Sequence, residues 1–330
     1  MKVIFASAIA IAAGTISAPA YADSTIYDGY GAFAAGYNSL DGGSGTYTYC
    51  YDGNCDSGTD EIPEKYDGLN LNVRTSVSVP LGGAWGAQVD GDFSRTVYDA
   101  NQDYGKGQSF TLKSNESTFA GHAFARNDKR LLGLFVQRTS INNNFGVGRA
   151  VYYAGGEAQA YLGKVTMYGQ ASYGSHDFKP HDSNLVNLGL QLRYFPQDNL
   201  KLTLGGNYQS EKLTRDQDWF SADYYSDSSW KENQEYLGFS FSAEKKLKKS
   251  RASIFADFSY GDLKTKSEDT YRNEIGSGSE SYRSDASQVR LMIGVKLNFG
   301  STTLLQRDRS GATLDPARNG YFTYQGYYAP

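Results

Sequence analysis

An alternation of apolar and polar residues near the end of the chain most constrains its fold. In residues 289–299 every second residue is apolar, and the residues between them are polar or small except for Met292. Successive side chains of a β-strand point to opposite faces, so this segment predicts a strand with one apolar and one polar face. Its length suits a strand that crosses a membrane and is too short for a membrane-crossing helix.

The same alternation recurs along most of the chain and predicts about twelve strands. The clearest copy is residues 69–79, where Leu and Val occupy one face and Asn, Arg and Ser the other. Residues 131–141 are ambiguous, because their two faces do not differ clearly in polarity. The remaining strands are predicted over about residues 25–37, 85–94, 118–125, 150–162, 164–173, 186–195, 201–213, 237–243 and 252–260.

The connections between the predicted strands alternate in length. Short turns follow the even-numbered strands, near residues 80–84, 127–128, 163, 196–199 and 245–250, and most other connections are longer and polar. Outer-membrane barrels show this asymmetry, and an even strand number lets the last strand close against the first. We therefore predict an all-β fold, a transmembrane antiparallel up-and-down β-barrel over residues 23–299, with short periplasmic turns and long extracellular loops.

Aromatic residues near the ends of the predicted strands fit this orientation. Trp85, Phe195 and Phe299 lie near short turns, and Phe93, Tyr173, Tyr208 and Tyr260 lie near long loops. Membrane barrels carry such aromatic girdles at both interfaces. A soluble β-sandwich is the alternative, but its outer face carries mainly charge, whereas the polar faces here also contain many Gly, Ser, Asn and Gln residues.

The first residues have the order of features found in a secretory signal peptide. Lys2 gives a positive start, residues 3–13 are apolar, and Ala20-Tyr21-Ala22 fits a cleavage site. We predict a signal peptide over residues 1–22, cleaved after Ala22. Its removal takes one Lys from a chain of formal net charge −4 and leaves −5. This mildly acidic balance argues against nucleic acid as a partner.

The two cysteines, Cys50 and Cys55, lie in a Gly-, Asp- and Tyr-rich segment. In an exported chain this spacing indicates a disulfide that closes a small loop. A metal pair is the alternative, but no His lies nearby. Residues 52–60 also carry oxygen donors at alternate positions, as a calcium loop does. Ser57 and Pro63 replace the turn glycine and the closing Glu of such a loop, so an acidic external loop is the preferred interpretation.

Three features together resemble porin-like outer-membrane barrel proteins of Gram-negative bacteria. They are the signal peptide, the sequence PLGGAWGAQVDGDF at residues 80–93, and the final strand VRLMIGVKLNF ending at Phe299. The resemblance implies the cell outer membrane as location, and its lipids and lipopolysaccharide as surroundings. It also implies that Phe299 is the assembly signal read by the barrel-assembly machinery. A tail, residues 300–330, follows Phe299; this departs from the usual pattern, and we expect the tail in the periplasm.

The alternation of side chains along each predicted strand places a set of charged residues on the inner face. This lumen-lining set is Arg74, Asp90, Asp92, Glu157, Arg193, Glu211, Glu244, Asp257, Arg290 and Lys296, with Lys201 beside them. A barrel of about twelve strands encloses more than an eight-stranded one does. We predict a channel for passive diffusion of small hydrophilic solutes. If the charges instead pair and fill the bore, the protein is a closed structural or adhesive barrel that acts through its loops.

An enzyme is the remaining hypothesis. His181-Asp182-Ser183-Asn184 resembles the H-x-S-N element of outer-membrane lipid A deacylases and, more loosely, phospholipases. In such chemistry the His takes the proton of a Ser nucleophile, and Glu211 is available as an orienting acid. Parity, however, points His181 and Ser183 into the lumen and away from lipid. We therefore expect no catalytic residues, no cofactor and no metal, and we leave open a homo-oligomer.

Overall fold

The computed structural model describes residues 27–42, 44–61, 65–101, 109–143, 148–176, 182–216, 227–272 and 277–318. The predicted signal peptide, its cleavage site and His181 lie outside these ranges, as does the end of the tail. In chain order the strands are β1 (Asp28–Asp41), β2 (Ser44–Tyr51), β3 (Asn54–Glu61), β4 (Lys65–Gly82), β5 (Trp85–Asn101), β6 (Ser109–Arg126), β7 (Arg130–Asn143), β8 (Gly148–Leu162), β9 (Val165–His176), β10 (Asp182–Gln197), β11 (Leu200–Asp216), β12 (Asp227–Lys246), β13 (Ala252–Arg272) and β14 (Ser277–Phe299).

Twelve of these strands form a closed antiparallel barrel, and β2 and β3 form an additional hairpin. Each wall strand pairs with its neighbour in sequence, and β1 pairs with both β4 and β14. Gly29 lies opposite Phe299 and Asp41 opposite Ser287, so β1 and β14 are paired along the length of β1. This closure leaves no free edge in the wall, and it confirms the predicted up-and-down barrel.

The wall is apolar outside and mostly polar inside. Leu134 on β7 and Leu190 on β10 are 71% and 70% exposed, whereas Gln88 and Asn187, which point inward, are buried. In water such an exposed apolar belt would be unfavourable, but it fits the hydrocarbon of a bilayer. Among the described residues, no helix has the length and apolar character needed to cross a membrane.

The aromatic girdle is present with one correction. Trp85, Phe93 and Tyr173 are exposed on the outer face, as predicted. Phe195 is fully buried, because the inward positions of β10 are odd-numbered, and Tyr194 takes the outward position instead. The prediction for Phe195 was therefore wrong.

The strands continue well beyond the apolar belt at the end with the long loops. β13 has 21 residues and β14 has 23, and the β2–β3 hairpin pairs with the upper part of β14. Asp52 and Gly53, which connect β2 to β3, have φ angles of 46° and 81°. This geometry belongs to a type I′ hairpin turn, in which Gly is favoured because both central residues need positive φ.

The hairpin also decides how the donors of residues 52–60 are arranged. Cys50 and Cys55 lie directly opposite each other, and their sulfur atoms are joined. Asn54, Asp56 and Gly58 follow one another along an extended strand. Alternate residues of a strand are spread along its axis, so these groups do not surround a single ion. The described geometry therefore gives the calcium-loop alternative no support, and the segment forms a polar hairpin where an acidic loop was preferred.

The tail turns back into the barrel after β14. Thr303 caps a short helix, α1 (Leu304–Ser310), by accepting a hydrogen bond from the backbone N–H of Gln306. Leu304 and residues 311–314 are buried, and residues 313–318 continue without regular structure. The described part of the tail thus lies inside the wall at the short-turn end. The tail was expected in the periplasm, and the sequence did not predict that its residues 311–318 enter the lumen.

Candidate functional site in the barrel lumen

The structure places the ten predicted lumen-lining residues on the inner face of the wall. Arg290, for example, precedes the exposed Leu291 and points to the same side of β14 as the buried Met292. What the sequence did not reveal is how these residues are partnered. Some are paired within the wall, and others are paired with the tail.

One wall network joins Arg74 with two acids. Its Nε lies 2.8 Å from Asp92, and its Nη1 lies 3.7 Å from Asp257. The three side chains are 21–28% exposed, so this network retains some access to water. It balances charge across β4, β5 and β13 without help from the tail.

Two buried histidines form the second kind of wall network. His122 lies 2.9 Å from Asp90 and 2.8 Å from Glu157, and the hydroxyl of Tyr168 donates to Glu157. The sequence showed no partners for the histidines, because the acids lie on other strands and no local spacing links them to a histidine. A buried carboxylate needs such partners, since an unpaired charge in the interior is costly.

The other histidine bears on the enzyme hypothesis. Nε2 of His176 lies 2.5 Å from Glu211, so this acid faces His176. The hydroxyl oxygen of Ser183 accepts a hydrogen bond from the backbone N–H of His176 at 2.6 Å. His181 lies outside the described residues. In the described geometry, Glu211 therefore contacts the side chain of His176, and Ser183 contacts the backbone N–H of His176.

Glu244 is the centre of a cluster that includes the tail. Its carboxylate lies 3.1 Å from Lys201 and 3.0 Å from Lys296, both from the wall, and 2.9 Å from Arg307 of α1. The Glu244 side chain is only 3% exposed. Arg307 also donates to Asn298, so its guanidinium contacts both β12 and β14.

Arg193 makes the second charged contact with the tail. Its guanidinium lies 3.0 Å from Asp308 and 2.8 Å from Asp315. It also donates to the main-chain oxygen of Thr313 at 2.7 Å. Burial alone would raise the pKa of Asp315, but the nearby charges of Arg193 and Lys201 outweigh it and lower this pKa to about 2.

Neutral side chains of the wall hold the main chain of the tail. The amides of Gln88, Gln137, Gln159 and Asn187 contact backbone atoms of Thr313, Leu314, Ala317 and Arg318. These four wall residues come from β5, β7, β8 and β10 and are buried. The tail therefore satisfies polar groups that would otherwise need water.

Apolar side chains fill two further parts of the lumen. Leu314 packs with Phe124, Leu131, Tyr161 and Tyr168. A second cluster extends across the bore, and we call it the apolar layer: Leu40, Tyr66, Tyr98, Phe135, Ile141, Val151, Tyr153, Leu185, Tyr236, Leu263, Ala286 and Ala317 of the tail. A cavity of about 40 Å³ remains between tail and wall beside Arg193 and Lys296, with room for a few water molecules. In the described part of the chain, the tail and the apolar layer thus occupy the lumen at two levels.

The sequence matches no protein-family model and no curated protein. Similar solved structures include an outer-membrane channel from Pseudomonas putida F1, with 13% identity, a TM-score of 0.49, and coverage of 83% of this chain and 98% of that one. A Pseudomonas aeruginosa FadL homologue has 10% identity, a TM-score of 0.40, and coverage of 82% and 90%. The outer-membrane protease OmpT from Escherichia coli has 12% identity, a TM-score of 0.31, and coverage of 82% and 97%. At these levels the similarity carries no information about activity.

The assignment to a membrane rests on the molecule itself. A closed sheet satisfies all its backbone groups internally, and its outer face is an apolar belt with aromatic residues near its ends. The chain is an outer-membrane β-barrel protein. Its short turns and the docked part of the tail lie at one end of the barrel, and the β2–β3 hairpin lies at the other.

Proposed function

We propose that this protein is a channel for passive diffusion of small hydrophilic solutes, and that its docked tail holds it closed. The observation that carries the proposal is that polar wall residues, among them Arg193 and Gln88, find partners on a segment that is not part of the wall. The barrel ladder closes between β1 and β14 without the tail. Undocking would therefore leave a closed wall around a bore that is polar at the level of the tail.

Conductance in planar bilayers tests this proposal. A released-tail variant, Thr313→Pro with Leu314→Asp, removes the N–H that Gln88 accepts and places a charge in the apolar pocket of Leu314. We expect a nearly silent wild type and discrete conductance steps from the released-tail variant. Pro316→Ala, which removes no N–H donor, is the matched control and should behave as the wild type.

The second candidate function is a closed barrel that acts through its extracellular loops. The apolar layer favours it, because nearly all of its side chains come from the wall strands. The layer would therefore still occupy the lumen after the tail undocks. Hydrophobic constrictions can also gate a pore by dewetting, so the layer is compatible with both functions. A released-tail variant that inserts well and stays silent would favour the closed barrel.

Several finer properties belong to the same proposal. The chain is exported with its signal peptide cleaved after Ala22, and Cys50 and Cys55 form a disulfide; the intact mass and a thiol titration without reductant check both. Phe299 is recognised by the barrel-assembly machinery.

The barrel acts without enzymatic chemistry. Hydrolysis of lipid A or phospholipid that Ser183→Ala abolishes would contradict this. Cross-linking in the membrane would show a homo-oligomer.

A further inference from the structure

Residues 311–318 of the tail are held in the lumen largely through main-chain atoms. Gln88 contacts three of them: its Oε1 accepts from Thr313 N at 3.0 Å and Leu314 N at 3.2 Å, and its Nε2 donates to Leu314 O at 2.7 Å. Gln137 accepts from Ala317 N at 2.7 Å and donates to Ala317 O at 2.9 Å. Each glutamine thus treats the tail as a neighbouring β-strand would, by pairing with both a donor and an acceptor.

Other wall residues extend this pattern along the tail. Arg126 donates to Gly311 O at 3.0 Å, and Asn187 donates to Arg318 O at 2.7 Å. Asp28 accepts from Ala312 N at 2.9 Å. Every peptide has such main-chain groups, so these contacts recognise an extended chain and not a particular sequence.

Two side chains of the tail add selectivity. Leu314 is 1% exposed in its pocket of aromatic and aliphatic side chains. The carboxylate of Asp315 lies 2.8 Å from Arg193 and accepts from Gln191 at 3.1 Å. The wall therefore offers one apolar pocket followed directly by a cationic site.

From these contacts we propose that the periplasmic half of the lumen is a binding site for extended peptides in which an aliphatic residue is followed by an acidic one. Residues 311–318 fill this site in cis, and a separate peptide with the same chemistry fills it when the tail leaves. The proposal rests on the proposed function only in that the tail must be able to undock. Peptides of this class would either pass through such a channel or block it.

The covalent link explains how the site is normally occupied. A tethered segment competes at an effective concentration that reaches millimolar values for short linkers, so a free peptide cannot displace it easily. The released-tail variant removes this competitor and leaves the wall unchanged. It is therefore the form of the protein in which binding should be measured.

The experiment uses a fluorescent octapeptide with the sequence of residues 311–318 and the full-length released-tail variant in detergent. We expect saturable binding by anisotropy, and at least about tenfold weaker binding to the wild type, whose site is occupied. Replacing Asp by Asn or Leu by Gly in the peptide should each weaken binding about tenfold, while replacing the exposed last residue, Arg, by Lys should not. These peptide changes need no change in the protein, so folding cannot account for them.

A variant of the wall completes the test. Gln88→Ala in the released-tail background should weaken the octapeptide about tenfold, provided that the variant still shifts on an unheated gel as a folded barrel does. Absence of saturable binding, or equal binding of the Asn- and Gly-containing peptides, would overturn the inference. Conductance is measured separately. Conductance steps without peptide binding support the channel and contradict the peptide site. Peptide binding without conductance steps supports the peptide site and contradicts the channel.

Discussion

At the scale of single residues, Glu244 shows how strongly the lumen depends on balance of charge. Its one carboxylate faces three cations, Lys201, Lys296 and Arg307, in a buried position. Glu244→Gln would leave these cations without their acid. Removing one partner of a buried ion pair typically costs about 3–5 kcal/mol, so we expect a loss near that size in urea unfolding followed by tryptophan fluorescence.

The control for this prediction is an acid in an exposed ion pair. Glu268 lies 2.5 Å from Lys266 on the extracellular part of β13, where both side chains are exposed. Salt and water screen such pairs, so Glu268→Gln should leave the unfolding midpoint almost unchanged. An equal effect of the two substitutions would contradict the role assigned to the Glu244 cluster.

Asp315 predicts a dependence of tail docking on pH. Its pKa is lowered to about 2 when docked, against about 3.9 for a free aspartate, so the charged form favours docking. The stabilisation by Asp315 is present above about pH 4 and is lost as the pH falls through about 2. Limited proteolysis of the tail in wild type and Asp315→Asn should differ at pH 5 to 7 and converge near pH 2. A difference that grows on acidification would contradict the sign.

At the scale of elements, each wall strand has a fixed outward face. Leu190 is the middle one of five outward residues, from Val186 to Tyr194, on β10 and is 70% exposed. Leu190→Arg would place a charge near the centre of the bilayer, which costs about 2–4 kcal/mol. Leu81, at the short-turn end of β4, is the matched control, because Arg near an interface costs about 0–1 kcal/mol. Reversible unfolding from lipid vesicles measures both, and similar costs would place the belt elsewhere.

The apolar belt was predictable from the sequence because lipid selects every second residue. The alternation of apolar and polar residues disappears where the inward face of a strand is also apolar. On β7 both faces are apolar, since Leu131 and Phe135 point inward into the clusters of the lumen while Leu134 points to lipid. The face of this strand was therefore ambiguous, and the lengths of β13 and β14 above the bilayer were underestimated.

The hairpin and the site were less predictable, for different reasons. Asp52-Gly53 is a strong signal for a type I′ turn and indicates a hairpin in the Cys-containing segment, although the alternation alone predicts no strand there. The docking of the tail had no comparable local signal. Its partners, such as Gln88 and Arg193, are far from it in sequence and look like ordinary inward polar residues.

At the scale of the whole molecule, the charges that the tail leaves behind set the selectivity of an open bore. Arg193 loses both Asp308 and Asp315 when the tail undocks, and it becomes an unpaired cation at the periplasmic level. In the released-tail background, Arg193→Gln should shift the reversal potential in a KCl gradient toward cation preference. An unchanged or opposite shift would mean that the solute path avoids this level.

The position of the docking site also has a consequence for biogenesis. The tail is synthesised after all the wall strands, and its contacts come from β1, β5, β7, β8, β10 and β12. No subset of early strands offers this surface, so docking follows the meeting of the first and last strands. A tail protected from proteolysis would accordingly mark molecules whose membrane insertion is complete, and a protease added to the periplasmic side would cleave the tail only in molecules that are still inserting.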